Sequence, residues 1–206
     1  MFFDRHEAGK QLAEKLKKYA VENAVVLALP RGGVVVGYEV ARSLGCPLDI
    51  VVTRKVGYPD NPEYAILAVD SLGTTLANVA ETAYVDAAWL QKETEKQKEE
   101  AARRITLFRG DSSPVPLSGK TVILVDDGIA TGLTMRLAIQ AVRKENPARV
   151  IVAVPVCPPD VAAILKKEAD EFFVLEDPRE FAGAVGAHFE SFPQVEDEEV
   201  IRLLHA

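Results

Sequence analysis

Val122-Ile-Leu-Val-Asp-Asp-Gly-Ile-Ala-Thr-Gly-Leu-Thr134 is the stretch of sequence that decides the fold. Its apolar, β-branched beginning predicts a buried strand. Two adjacent carboxylates, Asp126 and Asp127, follow at the carboxyl end, and a helical pattern opens at Met135. A strand, loop and helix in this order are the unit of an open parallel sheet, in which ligands bind beyond the carboxyl ends of the strands.

The loop between this strand and helix has the chemistry of a sugar-phosphate site. Backbone N–H groups at the start of a helix favour a phosphate. Asp126 and Asp127 are too electronegative to face that phosphate, so we expect them to accept hydrogen bonds from vicinal hydroxyls, with a metal offsetting their charge. A ribose 5-phosphate would use both features. The structural alternative is an ordinary strand-turn-helix with a solvated acidic turn.

Length and composition narrow the class of protein. The chain has 206 residues, 48% of them hydrophobic, which suits a single domain spanning residues 1–206 with its core at about 20–175. The net charge of −7 argues against a nucleic-acid-binding surface. No apolar run approaches the roughly 18 residues of a membrane span. Because residues 1–7 are charged and lack a signal-peptide pattern, we expect a cytoplasmic protein with reduced cysteines.

Strands and helices alternate along the chain, which predicts a doubly wound parallel α/β sheet of about five strands. Buried strands are expected at residues 24–29, 48–53, 120–125, 149–156 and 171–175. Helices are expected from an Asp4 cap to about residue 20, at 34–44, from an Asp86 cap to about 108, and at 135–144, 158–167 and 197–204.

Two further loops carry candidate functional residues. Pro30-Arg31-Gly32-Gly33 follows the first strand, and its glycines predict a sharp turn with exposed N–H groups. Arg54 and Lys55 follow the second strand, where charges must find partners. The structural alternatives are a plain tight turn and a surface pair of cations. Neither a dinucleotide-binding glycine pattern nor a Walker lysine is present.

The acidic stretch resembles the phosphoribosyl pyrophosphate motif of class I phosphoribosyltransferases: an apolar strand, two acids, three variable residues, then Thr-Gly-x-Thr. With the segments at residues 3–9, 29–34 and 54–57, it is similar to the stand-alone bacterial members of that family. The resemblance implies a Mg²⁺-dependent transfer of ribose 5-phosphate from phosphoribosyl pyrophosphate to a nitrogen nucleophile, such as a nucleobase or related heterocycle, with release of pyrophosphate. It leaves the acceptor unassigned.

The resemblance also implies a role for each candidate residue. Asp126 and Asp127 would hold the ribose hydroxyls and stabilise the developing positive charge. The pyrophosphate would bind Arg31, Gly32, Gly33, Arg54 and Lys55. The 5-phosphate would bind the amides and hydroxyls of Gly128, Ala130, Thr131, Gly132, Leu133 and Thr134. Mg²⁺ would arrive mainly on substrate oxygens, with no dedicated protein site, and Asp126 or Asp127 are the candidates for a protein contact.

The remaining segments receive roles from the same resemblance. Residues 57–118, with a hairpin on long mobile connections and a long polar helix, would carry the flexible loop that closes over the ribose and excludes water. Residues 1–20 and 176–206 would form a small hood around the acceptor. His188, among aromatic residues, would stack on or protonate a heterocycle, or else be a structural histidine.

Three alternatives stay open at the level of sequence. The same fold would also suit a non-catalytic regulator that binds phosphoribosyl pyrophosphate or a nucleotide, whereas a metal-dependent phosphatase or kinase would need further acids or a Walker lysine. Arg103 and Arg104 of the long helix are assigned to its solvated face, although that face would also reach a ligand or a second subunit. A homodimer is compatible with this assignment.

Overall fold

The central element of the computed structural model, which describes residues 1–20 and 23–206, is a five-stranded parallel sheet. Its strands are Ala24–Ala28 (β1), Leu48–Ile50 (β2), Thr121–Val125 (β6), Arg149–Val154 (β7) and Glu171–Val174 (β8). A separate antiparallel sheet contains Thr53–Tyr58 (β3), Asn61–Asp70 (β4) and Thr75–Ala77 (β5). The parallel strands lie in the order β2, β1, β6, β7, β8, which confirms the predicted fold class.

The helices connect these strands as the alternating sequence pattern predicts. They are Arg5–Leu16 (α1), Gly32–Leu44 (α2), Val79–Thr82 (α3), Ala87–Arg109 (α4), Leu133–Arg143 (α5), Pro159–Glu168 (α6) and Asp197–Leu204 (α7). Asp4 accepts a 2.8 Å hydrogen bond from the Glu7 N–H and caps α1. Asp86 caps α4 in the same way through the N–H of Trp89, at 2.8 Å.

Both faces of the parallel sheet are covered by helices. Leu124 and Val152 pack on one face against α5 and α6, while Ile123 and Ile151 pack on the other against α1 and α2. This alternation follows from the two-residue period of a strand. Because each fully buried aliphatic side chain contributes roughly 1.5–3 kcal/mol, the two layers hold the carboxyl ends of the strands in fixed positions.

The expectation of a single strand at residues 48–53 is wrong. β2 ends at Ile50, and the chain crosses at residues 51 and 52 to the antiparallel sheet. Arg54 and Lys55 therefore lie inside β3 and do not follow a strand of the central sheet. The apolar run continues through the crossing, so periodicity did not show the break. Helices α2 and α5 each begin two residues earlier than expected.

The predicted hairpin forms, but the expectation of long connections is wrong. Residues 59 and 60 alone join β3 to β4, and residues 71–74 join β4 to β5. Asp70 closes the second turn by accepting hydrogen bonds from the N–H groups of Leu72 and Thr74, at 2.9 and 2.8 Å. The sheet lies on α5, where Leu137 packs against Ala68.

The two ends of the chain pack against each other. Phe2 pairs with Phe189 in a short parallel bridge, and their rings lie 5.4 Å apart. Cys46 and Cys157 are free cysteines, the first partly buried and the second buried. In the described part of the chain, no helix has both the length and the apolar character that crossing a bilayer requires.

Candidate functional site

A cleft of about 240 Å³ opens at the carboxyl end of β6. Lys55 and Ala65 of the antiparallel sheet form one side of the cleft, and Val185 of the tail forms another. The remaining lining residues come from the loop after β6 and the first turn of α5 and are Asp126, Gly128, Ile129, Ala130, Thr131, Gly132 and Thr134. The fold therefore brings together Lys55, one of the two acids and most of the residues predicted at the 5-phosphate.

The start of α5 provides hydrogen-bond donors for an anion in this cleft. Gly132 precedes the helix with φ +77°, a conformation that favours glycine, and a Cβ there would lie 2.5 Å from Cγ1 of Val161. The first N–H groups of an α-helix have no partner within it, and the helix dipole is positive at this end. The adjacent Thr131 is exposed, so its hydroxyl is accessible as well. Leu133 contributes its backbone here, since its side chain is buried against Ala65.

The two carboxylates of the acid pair differ in their surroundings. Arg5 Nε donates a 2.7 Å hydrogen bond to Oδ2 of Asp127, and both side chains are largely buried. The same guanidinium donates to the Pro193 carbonyl at 2.7 Å and lies 3.6 Å over the Phe192 ring. Asp127 is therefore neutralised by a charge-assisted bond from α1, which the tail holds in place.

Asp126 faces the cleft without such a cation. Its Oδ1 accepts a 2.8 Å hydrogen bond from the N–H of Asp127. Burial, and then the adjacent Asp127 carboxylate, raise the pKa of Asp126 well above its ordinary value. A cation beside Asp126 would favour its ionised form, so its charge is coupled to whatever binds in the cleft.

The glycine pair of the loop at residues 30–33 packs directly on these acids. A Cβ added to Gly32 would lie 1.9 Å from Oδ2 of Asp127, and one added to Gly33 would lie 2.9 Å from Cα of Asp126. Glycine is thus required by close approach between two loops, whereas the sequence suggested a need for a sharp turn. The Pro30–Arg31 peptide bond is cis.

Arg54 and Lys55 point in opposite directions, because successive strand residues face opposite sides of a sheet. Lys55 lines the cleft. Arg54 Nε instead donates to Oε1 of Gln97 on α4, at 3.1 Å. Arg31 does not line this cleft, and its Nη1 lies 3.3 Å from Oδ1 of Asp197 at the start of α7. Of the residues predicted to bind pyrophosphate, Lys55 lines the cleft, the two glycines touch the acid pair, and the two arginines contact α7 and α4.

A magnesium ion would find only part of its coordination shell in the protein. Within the described residues, no group of three or more His, Cys, Asp and Glu side chains is placed to hold a metal. Mg²⁺ takes oxygen ligands, retains several waters and commonly uses one or two carboxylates together with substrate phosphates. The carboxylate of Asp126, in the cleft wall beside the start of α5, fits that mode.

His188 is engaged on both ring nitrogens. Its Nε2 accepts a hydrogen bond from the N–H of Ala182 at 3.0 Å, and its Nδ1 bonds to Oε2 of Glu176. Burial disfavours the charged form of Glu176, but hydrogen bonds from the amino group of Met1 and from His188 outweigh it and lower the pKa of that carboxyl. The geometry supports the structural role for His188.

Sequence reasoning assigned no role to Arg5 and Val185. Arg5 was quoted only within the amino-terminal segment, and its acidic partner lies 122 residues away. Val185 lies against the loop after β6, since a Cβ on Gly128 would be 2.4 Å from its Cγ1. No local pattern signals either contact. A larger cleft of about 440 Å³, near Asp49 and Arg109, contains none of the predicted site residues.

The chain is similar to known proteins over most of its length. A family model described as a phosphoribosyl transferase domain matches residues 4–189. Two curated proteins of Mycobacterium tuberculosis, both named as putative phosphoribosyl transferases, are 42% identical to the chain over 206 residues. These alignments cover 99% of the chain but 46% of each relative, so the chain spans about half the length of the curated relatives it matches.

Solved structures show the same fold. The crystal structure of TT1426 from Thermus thermophilus matches with a TM-score of 0.81 and 44% sequence identity. The match covers 99% of this chain and 98% of that one. A hypothetical protein from Neisseria gonorrhoeae with bound ppGpp has a TM-score of 0.51 at 18% identity, with 100% of this chain and 95% of that chain covered. The second similarity concerns the fold alone.

Proposed function

The chain belongs to the phosphoribosyl transferase family, and from this premise we propose that it transfers ribose 5-phosphate from phosphoribosyl pyrophosphate to a nitrogen nucleophile, with release of pyrophosphate. The acceptor class is a nucleobase or a related heterocycle. The observation that carries the proposal is the cleft after β6, which Asp126, Lys55 and the start of α5 line together. The two free cysteines fit a cytoplasmic location.

In the proposed complex, the 5-phosphate binds at the start of α5. Its oxygens accept hydrogen bonds from the N–H groups at residues 132–134 and from the Thr131 hydroxyl. This placement brings the ribose hydroxyls to the carboxylate of Asp126, and the pyrophosphate toward Gly32 and Gly33, which contact the acid pair. Donor atoms at both ends of the substrate align its C1 atom for attack.

The reaction breaks the bond between C1 and the pyrophosphate oxygen, whose electron pair leaves with pyrophosphate, and forms a bond between C1 and the acceptor nitrogen. The proton of that nitrogen passes to solvent. Because positive charge develops on the sugar, the carboxylate of Asp126 stabilises the transition state electrostatically. When bound, Mg²⁺ supplies charge neutralisation on the pyrophosphate oxygens.

Arg5 adjusts the charge of this site. A pair of unpaired carboxylates would repel a substrate that carries several phosphate charges. Since Arg5 neutralises Asp127, Asp126 is the member of the acid pair that faces the ligand without an ion pair among the described side chains. Asp127 then serves chiefly to hold its neighbour and the loop containing Gly32, and Asp126 carries the direct contact.

The terminal segments form the proposed hood over the acceptor. Contacts between Phe2 and Phe189, and between Arg5 and Pro193, join the amino-terminal segment to the tail beside the acid pair. Val185 brings the tail to the cleft itself. The antiparallel sheet, which contributes Lys55, occupies the opposite side and corresponds to the proposed closing segment.

Release of pyrophosphate tests the proposed reaction. Wild-type protein is incubated with Mg²⁺, phosphoribosyl pyrophosphate and each member of a panel of purines, pyrimidines and imidazoles. We expect one acceptor to yield a nucleotide and an equal amount of pyrophosphate, and Asp126→Asn to slow this at least about 100-fold. Donor binding without pyrophosphate release for any acceptor would instead identify a regulator.

A further inference from the structure

We propose that Arg104 of α4 binds the pyrophosphate group of phosphoribosyl pyrophosphate together with Arg31 and Arg54, so that the long helix forms one wall of the donor site. The inference rests on the proposed function. It adds a residue of α4 to the pyrophosphate site, which was so far assigned to loop and β3 residues alone. It reverses the assignment of Arg104 to a solvated face.

Arg104 lies on the inward face of α4. At 100° per residue, Gln97, Ala101, Arg104 and Phe108 fall on one side of the helix. Ala101 and Phe108 are fully buried, and Gln97 receives the hydrogen bond from Arg54. The Arg104 side chain is accordingly 18% exposed, compared with 57% for Arg103 on the outward side.

Four arginines meet in this region around two carboxylates. Glu100 accepts hydrogen bonds from both Arg103 and Arg104, each at 2.7 Å. Arg31 pairs with Asp197 of α7 at 3.3 Å. Among the side chains that the structure describes, no carboxylate forms an ion pair with Arg54, whose partner is the neutral amide of Gln97. Gln97 in turn donates to Oε1 of Glu93 at 2.8 Å. With that carboxylate counted, four guanidinium groups lie near three carboxylates, and the group keeps an excess of positive charge.

This excess charge is unfavourable unless an anion binds. Burial, and then the charge of Arg104, lower the pKa of Arg54, and Arg31 and Arg103 add to the effect. A partly buried cation surrounded by other cations needs a counter-charge. Because the whole chain has a net charge of −7, this local concentration of guanidinium groups is not a general property of its surface.

The position of the four arginines favours binding of the pyrophosphate group of the donor over binding of its 5-phosphate. Arg31 directly precedes the glycines that touch Asp126 and Asp127. Arg54 lies on the face of β3 opposite to that of Lys55, toward α4, so the arginine group lies outside the cleft lined by Lys55. The 5-phosphate has its own proposed binding groups, the N–H groups at the start of α5. Pyrophosphate carries more charge than a phosphate monoester, and guanidinium groups bind such oxygens in pairs.

Variants of two neighbouring arginines test the inference. Arg104→Gln removes the inward guanidinium, and Arg103→Gln is the matched control on the same helix with the same partner, Glu100. Calorimetry with Mg²⁺-phosphoribosyl pyrophosphate, Mg²⁺-pyrophosphate and ribose 5-phosphate compares their affinities. We expect Arg104→Gln to weaken the first two ligands about tenfold or more, as for loss of a charge-assisted hydrogen bond. Ribose 5-phosphate affinity should stay within about twofold for both variants.

The binding results distinguish a failure of the Arg104 inference from a failure of the proposed transferase function. Donor and pyrophosphate affinities that equal wild type in Arg104→Gln would overturn the inference while leaving the transferase proposal intact. Equal weakening of ribose 5-phosphate would overturn it too, because the effect would then be general. Arg104→Lys keeps the positive charge but loses the paired N–H donors of the guanidinium group, so its affinity for the donor and for pyrophosphate should lie between those of wild type and Arg104→Gln. This variant replaces Arg104→Gln as the test if the glutamine variant does not fold. Failure of wild type to bind the donor would reject the proposed function itself.

Discussion

Arg5 Nε and Asp127 Oδ2 lie 2.7 Å apart, although 122 residues separate them in the sequence. This bond ties the first turn of α1 to the acid pair at the end of β6. It also makes the two adjacent carboxylates chemically different, since Asp127 is paired while Asp126 faces the cleft. The terminal segments are thus part of the site and do not merely cover it.

Loss of this ion pair should destabilise the fold. Arg5→Met leaves the largely buried Asp127 carboxylate without its cation, so we expect the free energy of unfolding to fall by about 3 kcal/mol. Urea unfolding measures the change. Arg202→Met, which breaks an exposed pair with Glu199 at 3.7 Å, should cost less than about 0.5 kcal/mol. Equal costs for the two variants would contradict the structural role of Arg5, and adding Asp127→Asn to Arg5→Met should recover part of the loss.

A methyl group on Gly32 should separate the two loops of the site. In Gly32→Ala the new Cβ would lie 1.9 Å from Oδ2 of Asp127 and 2.8 Å from Nε of Arg5. We expect donor affinity, measured by calorimetry, to fall at least about tenfold. Gly45→Ala is the control, because its Cβ meets open space at φ +65°; it should cost about 1 kcal/mol of stability with donor affinity unchanged. Unchanged affinity in Gly32→Ala would show that this contact does not shape the site.

Asp126→Asn should raise the free energy of unfolding and weaken binding of the donor. Because the folded state raises the pKa of Asp126 above its ordinary value of 3.8, this side chain opposes folding at neutral pH. The opposition shrinks as the pH falls below the raised pKa and is gone below the ordinary value. We therefore expect the variant to be more stable than wild type at pH 7, with the difference shrinking in acid. Denaturant unfolding across pH measures it, alongside weaker donor binding.

The control for Asp126 has the opposite sign. Arg179 lowers the pKa of the exposed Asp177 to about 2, so Asp177→Asn should lose stability at neutral pH and match wild type only in strong acid. A variant of Asp126 that behaved like Asp177→Asn would contradict the assignment of Asp126 as an unpaired acid.

The link between the tail and the amino terminus should weaken in acid. Hydrogen bonds from Met1 and His188 hold the pKa of Glu176 below its ordinary value of 4.5, despite its burial. Its stabilising effect is therefore complete above pH 4.5 and lost as the pH falls through the lowered folded-state value. The difference in unfolding free energy between wild type and Glu176→Gln should be largest near neutral pH and vanish in acid. A difference for Glu176→Gln that stays constant across pH would argue against this link.

The sequence was most informative where the site is contiguous. A buried strand, two acids and a helix start lie within residues 122–134, so their arrangement follows from local rules of strands and helix ends. Arg5 depends on a partner that only the tertiary fold brings near. The inward orientation of Arg104 could not be predicted, because two of the four inward residues of α4 are polar and the helix therefore shows little hydrophobic periodicity. The crossing after Ile50 was hidden by an apolar run that continues through it.

Calorimetric titration of the wild-type protein with Mg²⁺-phosphoribosyl pyrophosphate tests the central claim most directly. The geometry of Asp126, Lys55 and the start of α5 predicts saturable binding of one donor molecule per chain, with Asp126→Asn markedly weaker. Absence of binding at millimolar donor would contradict both the transferase and a regulator that senses the same ligand.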